Sequence, residues 1–374
     1  MMKVGILTQP LGLNYGGIVQ NYALQEVLRQ EGHRPVTLRR ENYLYLDDRR
    51  LLRRFFSYVY CRYFLPNYEE KRRFLTPALY KSIKKNTEFF IAKYIDASAL
   101  LKNQETLRRE VMKGAFDVLL VGSDQTWRPK YSPYLPDYFL EFLPRESSIK
   151  RVAYASSFGT DEWEFSEEET QMARELLRYF DAVSVREECG VHFCQEHLEH
   201  EATLVLDPTL LLSREEYVER LSLREQAHGK VFAYLLDATP EKRRFAEVVA
   251  REVGTTAFEM MPKMTVYDRW KEVSDYQLKP VETWLENILN AEFVVTDSFH
   301  GAVFSTIFGK PFVVVENKER GLARFATLKQ FVSADAFVEE EELTSYQLAT
   351  PSVDQQRLDD FREHSLKFLR DSLA

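Results

Sequence analysis

Residues 117–127 read DVLLVGSDQTW, and this stretch decides the fold. After Asp117 come four apolar residues and then Gly122, which is typical of a short strand buried on both faces of a parallel sheet. Polar residues follow the strand directly. Because ligands of open α/β sheets bind at the carboxyl ends of the strands, the stretch also predicts one side of a binding site.

Similar apolar runs alternate with amphipathic helical stretches along the chain. In the first half we predict strands at 3–8, 34–38, 152–155 and 182–185, and a helix at 17–31 that ends at Gly32. In the second half we predict strands at 204–206, 231–236, 293–296 and 312–315, and helices at 241–252, 281–290 and 301–308. Strands separated by helices indicate parallel sheets with right-handed crossovers.

The length of 374 residues suits two or three domains. We predict an α/β protein with two Rossmann-like domains, formed by residues 1–200 and 201–350, with the boundary near residues 199–203. Residues 351–374 have helical spacing, which predicts a C-terminal helix that packs back on the first domain.

Composition narrows the possible functions. The net charge of -8 argues against general nucleic-acid binding. No apolar run approaches the roughly 18–20 residues of a membrane span, and the N-terminus is typical of a first strand rather than a signal peptide. The three cysteines, Cys61, Cys189 and Cys194, form no CxxC pair, so we expect a cytoplasmic protein without a disulfide framework or a zinc site.

Residues 39–75 depart from the α/β pattern because they are dense in arginine, lysine and aromatic residues. Basic residues beside aromatic ones suit peripheral contact with anionic head groups at the inner face of a membrane, or with a pyrophosphate-linked acceptor. The alternative interpretation is a surface helical insertion whose aromatic rings cover the core.

The turn after the first strand, TQPLGLNYGG at 8–17, joins glycine and asparagine to the start of a helix. Such residues let backbone N–H groups approach a ligand, and the helix N-terminus favours negative charge. The turn therefore suits an anion or a sugar, or it is a tight strand-to-helix connection only. It matches neither GxGxxG nor a P-loop, so it does not favour a nucleotide.

Two further stretches, each after a predicted strand, carry side chains suited to binding a sugar or an anion. After strand 117–121, Asp124 and Gln125 are candidates for hydrogen bonds to sugar hydroxyls and Trp127 for stacking on a sugar ring, although Asp124 is equally suited to capping a turn. Arg186 follows strand 182–185 and presents a planar fork for a carboxylate or phosphate, or it pairs with an acid such as Glu187.

The stretch FVVTDSFHG at 293–301 is the strongest candidate, because a buried strand leads into Asp297, Ser298 and His300 at the start of a helix. Asp297 or Ser298 suits the cap of that helix, which leaves N–H groups for an anion. His300 suits a general acid near neutral pH, since its ordinary pKa lies close to that range.

In this order, these segments resemble the polysaccharide pyruvyl transferase family. The resemblance rests on TQPLGLNYGGIVQNYALQ (8–25), LLVGSDQTW (119–127), VAYASSFG (152–159), VSVREECG (183–190), VLDPTLLL (205–212) and VVTDSFHGAVFSTIFGKPF (294–312). It spans residues 4 to about 330 and implies a GT-B-like fold, in which two Rossmann-like domains face a cleft that holds the active site.

The resemblance implies a transferase that moves the enolpyruvyl group of phosphoenolpyruvate (PEP) onto a sugar and forms a pyruvate ketal. It implies PEP as donor substrate, a sugar acceptor of a surface-polysaccharide precursor, no further cofactor and no metal. Whether the acceptor is lipid-pyrophosphate-linked or free stays open on the sequence. Family members with an Arg-x-His motif have arginine where this chain has Ser298. Arg320 and Arg324 are candidates to supply the missing cation.

The expected site has three parts. The catalytic residues are His300, Asp297 and Asp124. The donor-binding residues are Arg186, Ser298, His300, Gly301, Arg320 and Arg324. The acceptor-binding residues are Asn14, Tyr15, Gly16, Gln20, Ser123, Asp124, Gln125 and Trp127.

Two other functions stay open on the sequence. One is a metal-independent glycosyltransferase that uses a nucleotide sugar, since a fold does not fix a function. The other is a glycan-binding protein without catalytic activity.

Overall fold

The computed structural model describes residues 1–40, 77–132, 134–262, 276–316 and 323–374. Apart from its first two residues, the basic-aromatic segment predicted to contact a membrane lies outside the described residues, and so does Arg320. None of the helices within these ranges is long and apolar enough to span a membrane.

The first domain is built on a six-stranded parallel sheet with the order β2-β1-β3-β4-β5-β6. Its strands are β1 (Lys3–Leu7), β2 (Arg34–Thr37), β3 (Val118–Val121), β4 (Lys150–Ser156), β5 (Ala182–Val185) and β6 (Thr203–Leu204). Its helices are α1 (Tyr15–Gln30), α2 (Pro77–Ile83), α3 (Lys85–Tyr94), α4 (Gln104–Gly114), α5 (Glu167–Leu177), α6 (Glu188–Glu196) and α7 (Arg214–Leu221). Every residue of β3 is buried between β1 and β4, as its apolar sequence predicts.

The second domain is built on a five-stranded parallel sheet with the order β11-β10-β9-β7-β8. Its strands are β7 (Val231–Tyr234), β8 (Ala257–Glu259), β9 (Phe293–Thr296), β10 (Phe312–Glu316) and β11 (Phe337–Glu339). The helices of this half are α8 (Pro240–Glu252), α9 (Val281–Leu289), α10 (Phe299–Ile307), α11 (Ala323–Ala326) and α12 (Gln355–Leu373). The predicted α/β class with two parallel sheets is therefore confirmed.

One predicted strand joins the other sheet. The strand expected at 204–206 as the start of the second domain is β6, which closes the first sheet because Thr203 and Leu204 pair with Ser184 and Val185. The second sheet begins only with β7, at Val231.

Both sheets reverse their strand order at one point, between β1 and β3 in the first domain and between β7 and β9 in the second. At such a point the loops that follow the two strands diverge and leave a crevice at the carboxyl ends. The polar stretches that follow β3 and β9 in the sequence lie at these two crevices.

The two domains share one apolar core. Tyr15, in the first turn of α1, stacks on Trp284 of α9 with 5.4 Å between ring centroids and donates its hydroxyl to the Lys279 carbonyl at 2.8 Å. The backbone N–H of Leu278 also donates to the carbonyl of Ile83 at 3.0 Å. Stacked aromatic rings and a partly buried hydrogen bond thus hold α1 against the second domain.

The C-terminal helix α12 packs back on the first domain, as predicted. The buried Ser365 hydroxyl accepts a hydrogen bond from the Leu206 N–H at 2.9 Å, and Arg362 donates to the Leu210 carbonyl at 2.8 Å. Phe368 lies against Tyr154 of β4 with 6.2 Å between ring centroids.

Replacing Ser365 with alanine tests this docking. The change leaves the buried Leu206 N–H without its acceptor, so we expect the free energy of unfolding to fall by about 1–3 kcal/mol. Ser372→Ala is the matched control, because that hydroxyl donates to the Phe368 carbonyl within its own helix. Urea denaturation measures both variants, and equal losses would contradict the role given to Ser365.

A candidate active site between the domains

Arg186 is the centre of a buried polar cluster at the carboxyl ends of the first sheet. It follows β5 directly, and its guanidinium contacts three carboxylates. Nη1 lies 2.7 Å from Asp207 Oδ2, Nε 3.4 Å from Glu187 Oε1 and Nη2 3.7 Å from Asp124 Oδ1. The sequence left open whether Arg186 binds a ligand or pairs with an acid, and in this structure it is paired.

Asp207 is the acid that sequence reasoning missed. It follows β6, and only 1% of its side chain is exposed. Besides Arg186, its carboxylate accepts hydrogen bonds from Gln20 on α1 and from the N–H and hydroxyl of Thr209, the latter two at 3.0 and 2.7 Å. Gln20 also donates to the Ser123 hydroxyl at 2.8 Å, which links the loop after β3 to the same cluster.

His300, from the second domain, lies beside this cluster. It lies in the first turn of α10, and its Nε2 is 3.8 Å from Asp207 Oδ2. Nε2 is buried and has no hydrogen-bond partner among the residues that the structure describes. This ring nitrogen therefore keeps its hydrogen-bonding capacity and faces the Asp207 carboxylate.

The other face of the imidazole lies against Gly16 at the start of α1. A Cβ atom at this position would come within 2.1 Å of His300 Nδ1, so only glycine allows the helix to approach so closely. The N-terminal end of α1, which favours negative charge, is therefore beside the histidine ring.

The charges of the cluster shift the pKa values of its members. Burial and the charge of Arg186 lower the pKa of His300, although the carboxylates of Asp207 and Asp124 partly oppose this. Burial alone would raise the pKa of Asp207, but His300 and Arg186 outweigh it and hold that pKa below its ordinary value. Asp207 is therefore ionised at neutral pH.

Glu187 behaves in the opposite way. Burial raises the pKa of its carboxyl group, although Arg186 and the hydroxyl of Ser157 work against this. For Arg186, burial lowers the pKa, but Asp207 and Glu187 outweigh it and the net pKa is raised. The cluster thus contains a firmly charged Arg186 and Asp207, and a Glu187 that ionises less readily.

Asp124 lies where the chain turns sharply after β3. Its φ of 76° is in the left-handed region, which aspartate tolerates better than most residues. One carboxylate oxygen accepts from the Gln125 N–H at 2.9 Å, and the other lies 3.4 Å from the Asn14 side-chain amide. Asp124 is thus both a turn residue and a member of the site.

The start of α10 is capped by Ser298. Ser298 accepts a hydrogen bond from the Gly301 N–H at 3.4 Å, and a Cβ atom at Gly301 would come within 2.3 Å of the Thr296 hydroxyl. Arg324, on α11, lowers the pKa of both His300 and Glu187 by its charge, so it lies within electrostatic range of the cluster.

Asp297 is not brought to this cluster. Its carboxylate accepts hydrogen bonds from the N–H groups of Leu236 and Asp237 at 2.6 and 3.0 Å, and it pairs with Lys242 at 3.1 Å. Both oxygens are engaged and the side chain is fully buried. Asp297 therefore ties the loops after β7 and β9 together, which does not favour the catalytic role predicted for it.

Three predicted acceptor ligands do not present a surface to a sugar. The ring of Trp127 is fully buried and stacks on Phe139, so the predicted stacking on a sugar is wrong for this structure. Tyr15 lies in the apolar contact between the domains. Gln125 packs against Gly159, where a Cβ atom would come within 2.3 Å of its amide nitrogen.

No group of three or more His, Cys, Asp and Glu side chains is placed to hold a metal ion within the described part of the chain.

Comparison with solved structures identifies the type of fold. The UDP-GlcNAc 2-epimerase from Methanocaldococcus jannaschii superposes with a TM-score of 0.51 at 12% identity, covering 97% of this chain and 99% of that one. The epimerase from Neisseria meningitidis bound to UDP-GlcNAc gives 0.50 at 10% identity, covering 100% and 99%. These likenesses show the fold, a two-domain α/β architecture of the GT-B type.

The family follows from the sequence. The family model described as polysaccharide pyruvyl transferase matches residues 14–319, and this chain belongs to that family. A comparison with curated protein sequences finds no significant match.

Replacing Gly16 with alanine tests the contact between α1 and His300. The added methyl group forces the ring and the helix apart, so we expect the free energy of unfolding to fall by about 1–3 kcal/mol. Gly12→Ala is the matched control, since its Cβ would meet the Tyr80 hydroxyl oxygen at 3.4 Å, an ordinary contact. If urea denaturation gave the two variants the same stability, the close approach at Gly16 would be refuted.

Proposed function

We propose that this protein transfers the enolpyruvyl group of PEP to sugar hydroxyls of a surface-polysaccharide precursor, forming a pyruvate ketal and releasing phosphate. The observation that carries the proposal is that Arg186 of one domain and His300 of the other both lie next to the Asp207 carboxylate, at 2.7 and 3.8 Å. A cation and a potential proton donor are thus adjacent, as a small anionic donor requires.

The charges around Arg186 constrain how such a donor binds. An anionic donor competes with Asp207, Glu187 and Asp124 for the guanidinium, so every added proton in the cluster favours binding. Glu187 and His300 are the groups able to take protons, the first because burial raises its pKa and the second as an imidazolium. Arg324 adds a second positive charge close by.

The chemistry then follows from the positions of these groups. His300 donates a proton to the methylene carbon of PEP or to the departing phosphate, and C2 takes on oxocarbenium character. One sugar hydroxyl adds to C2 and loses its proton, the C2–O bond to phosphate breaks, and a second hydroxyl of the same sugar closes the ketal. The two hydroxyl groups lose two protons in total. One proton equals the proton that the methylene carbon gains to become a methyl group, and the other is carried by the released phosphate.

The acceptor is expected to lie on the side of Asp124 and Asn14. Asp124 keeps 15% of its side chain exposed, which suits a carboxylate that orients or deprotonates a hydroxyl. The basic-aromatic segment 39–75 supports extending the proposal to a lipid-pyrophosphate-linked acceptor on the cytoplasmic side of the membrane.

Replacing His300 with glutamine tests the proposed reaction. We expect the release of phosphate from PEP in the presence of a glycan acceptor to fall by about 10²–10⁴-fold, because the general acid is lost. His364→Gln is the matched control, since this histidine is exposed on α12, and it should keep the wild-type rate. Mass spectrometry of the acceptor should show the mass gain of a pyruvate ketal.

Two results would contradict the proposal. Undiminished turnover by the His300→Gln variant would remove His300 from the mechanism. Stabilisation of the protein by a UDP- or GDP-sugar but not by PEP in a thermal-shift assay would favour a glycosyltransferase instead.

A further inference from the structure

The two carboxylate oxygens of Asp207 have different partners. Oδ1 is held by its own loop, through the N–H and hydroxyl of Thr209 at 3.0 and 2.7 Å. Oδ2 faces the site, where it contacts Arg186 Nη1 at 2.7 Å, the Gln20 amide and, at 3.8 Å, His300 Nε2. A carboxylate fixed on one side in this way presents its other oxygen in a defined position.

On balance, the surroundings of His300 lower its pKa and favour the neutral ring. Burial disfavours the imidazolium, and the charges of Arg186 and Arg324 act in the same direction. Against them stand the carboxylates of Asp207, which follows β6, and Asp124, which follows β3. Among the described residues, Asp207 exerts the largest attraction on a charged His300.

We infer that Asp207 is a positioning residue of this site, which holds Arg186 in place and keeps His300 able to carry a proton next to the donor. The inference rests on the proposed function, because it assigns the acid form of His300 to proton transfer. The same negative charge opposes the binding of an anionic donor, so Asp207 favours proton transfer at the expense of donor affinity.

The test is Asp207→Asn, which keeps the size of the side chain and removes the charge. We expect kcat at pH 8 to fall about tenfold or more, whereas KM for PEP stays equal or decreases. The fall of kcat with rising pH should begin about one pH unit lower than in the wild type, because His300 loses its proton more easily. Loss of folded protein alone would lower the apparent kcat without moving the pH profile or KM.

A second measurement needs no turnover. NMR titration of histidine-labelled protein gives the midpoint of protonation of each histidine. The signal of His300, one of seven histidines, is assigned by its absence from the His300→Gln variant. Asp207→Asn should lower that midpoint. Thr209→Val is the matched control: it removes a hydrogen bond to Asp207 but no charge, so the midpoint should stay close to that of the wild type.

The two measurements separate the possible failures. If PEP is not turned over but the midpoint falls in Asp207→Asn, the proposed function fails and the link between Asp207 and His300 holds. If the midpoint is the same in Asp207→Asn and the wild type, the role of Asp207 is refuted, whatever the enzyme does with PEP.

Discussion

The buried ion pair between Arg186 and Asp207 is the constraint on which the rest of this site depends. Removing one partner of a buried pair leaves an uncompensated charge, which typically costs about 3–5 kcal/mol. The pair joins the loops after β5 and β6, and Gln20 of α1 and His300 of α10 are arranged around it. The pair therefore holds the loops after β5 and β6 and helix α1 together, and His300 of the second domain lies against it.

Much of the fold could be predicted from the sequence, because buried parallel strands are recognisable as short apolar runs. β3, β5 and β9 were predicted in this way, and with them the segments that follow these strands and carry Asp124, Arg186 and, in the first turn of α10, His300. The two-residue strand β6 joins the first sheet and not the second, which its short apolar run does not show. Asp207 stands in the stretch VLDPTLLL, but the sequence does not show that its side chain meets Arg186, 21 residues earlier.

The roles of single residues were harder to predict, because they depend on partners distant in the sequence. Asp297 was predicted to be catalytic, but Lys242, 55 residues earlier, pairs with it and makes it a structural link. Trp127 was expected to face a sugar, yet the turn at Asp124 is followed by an indole buried in the core. A single sequence shows that a residue follows a strand but not the direction in which its side chain points.

The contact between Gly16 and His300 depends on how the two domains are arranged. Gly16 belongs to the first domain and His300 to the second, so the imidazole contacts the start of α1 only while the domains are joined. Any separation of the domains would move His300 away from Gly16 and from Asp207. The joined arrangement of these residues and an open arrangement of the domains are thus mutually exclusive states of one molecule.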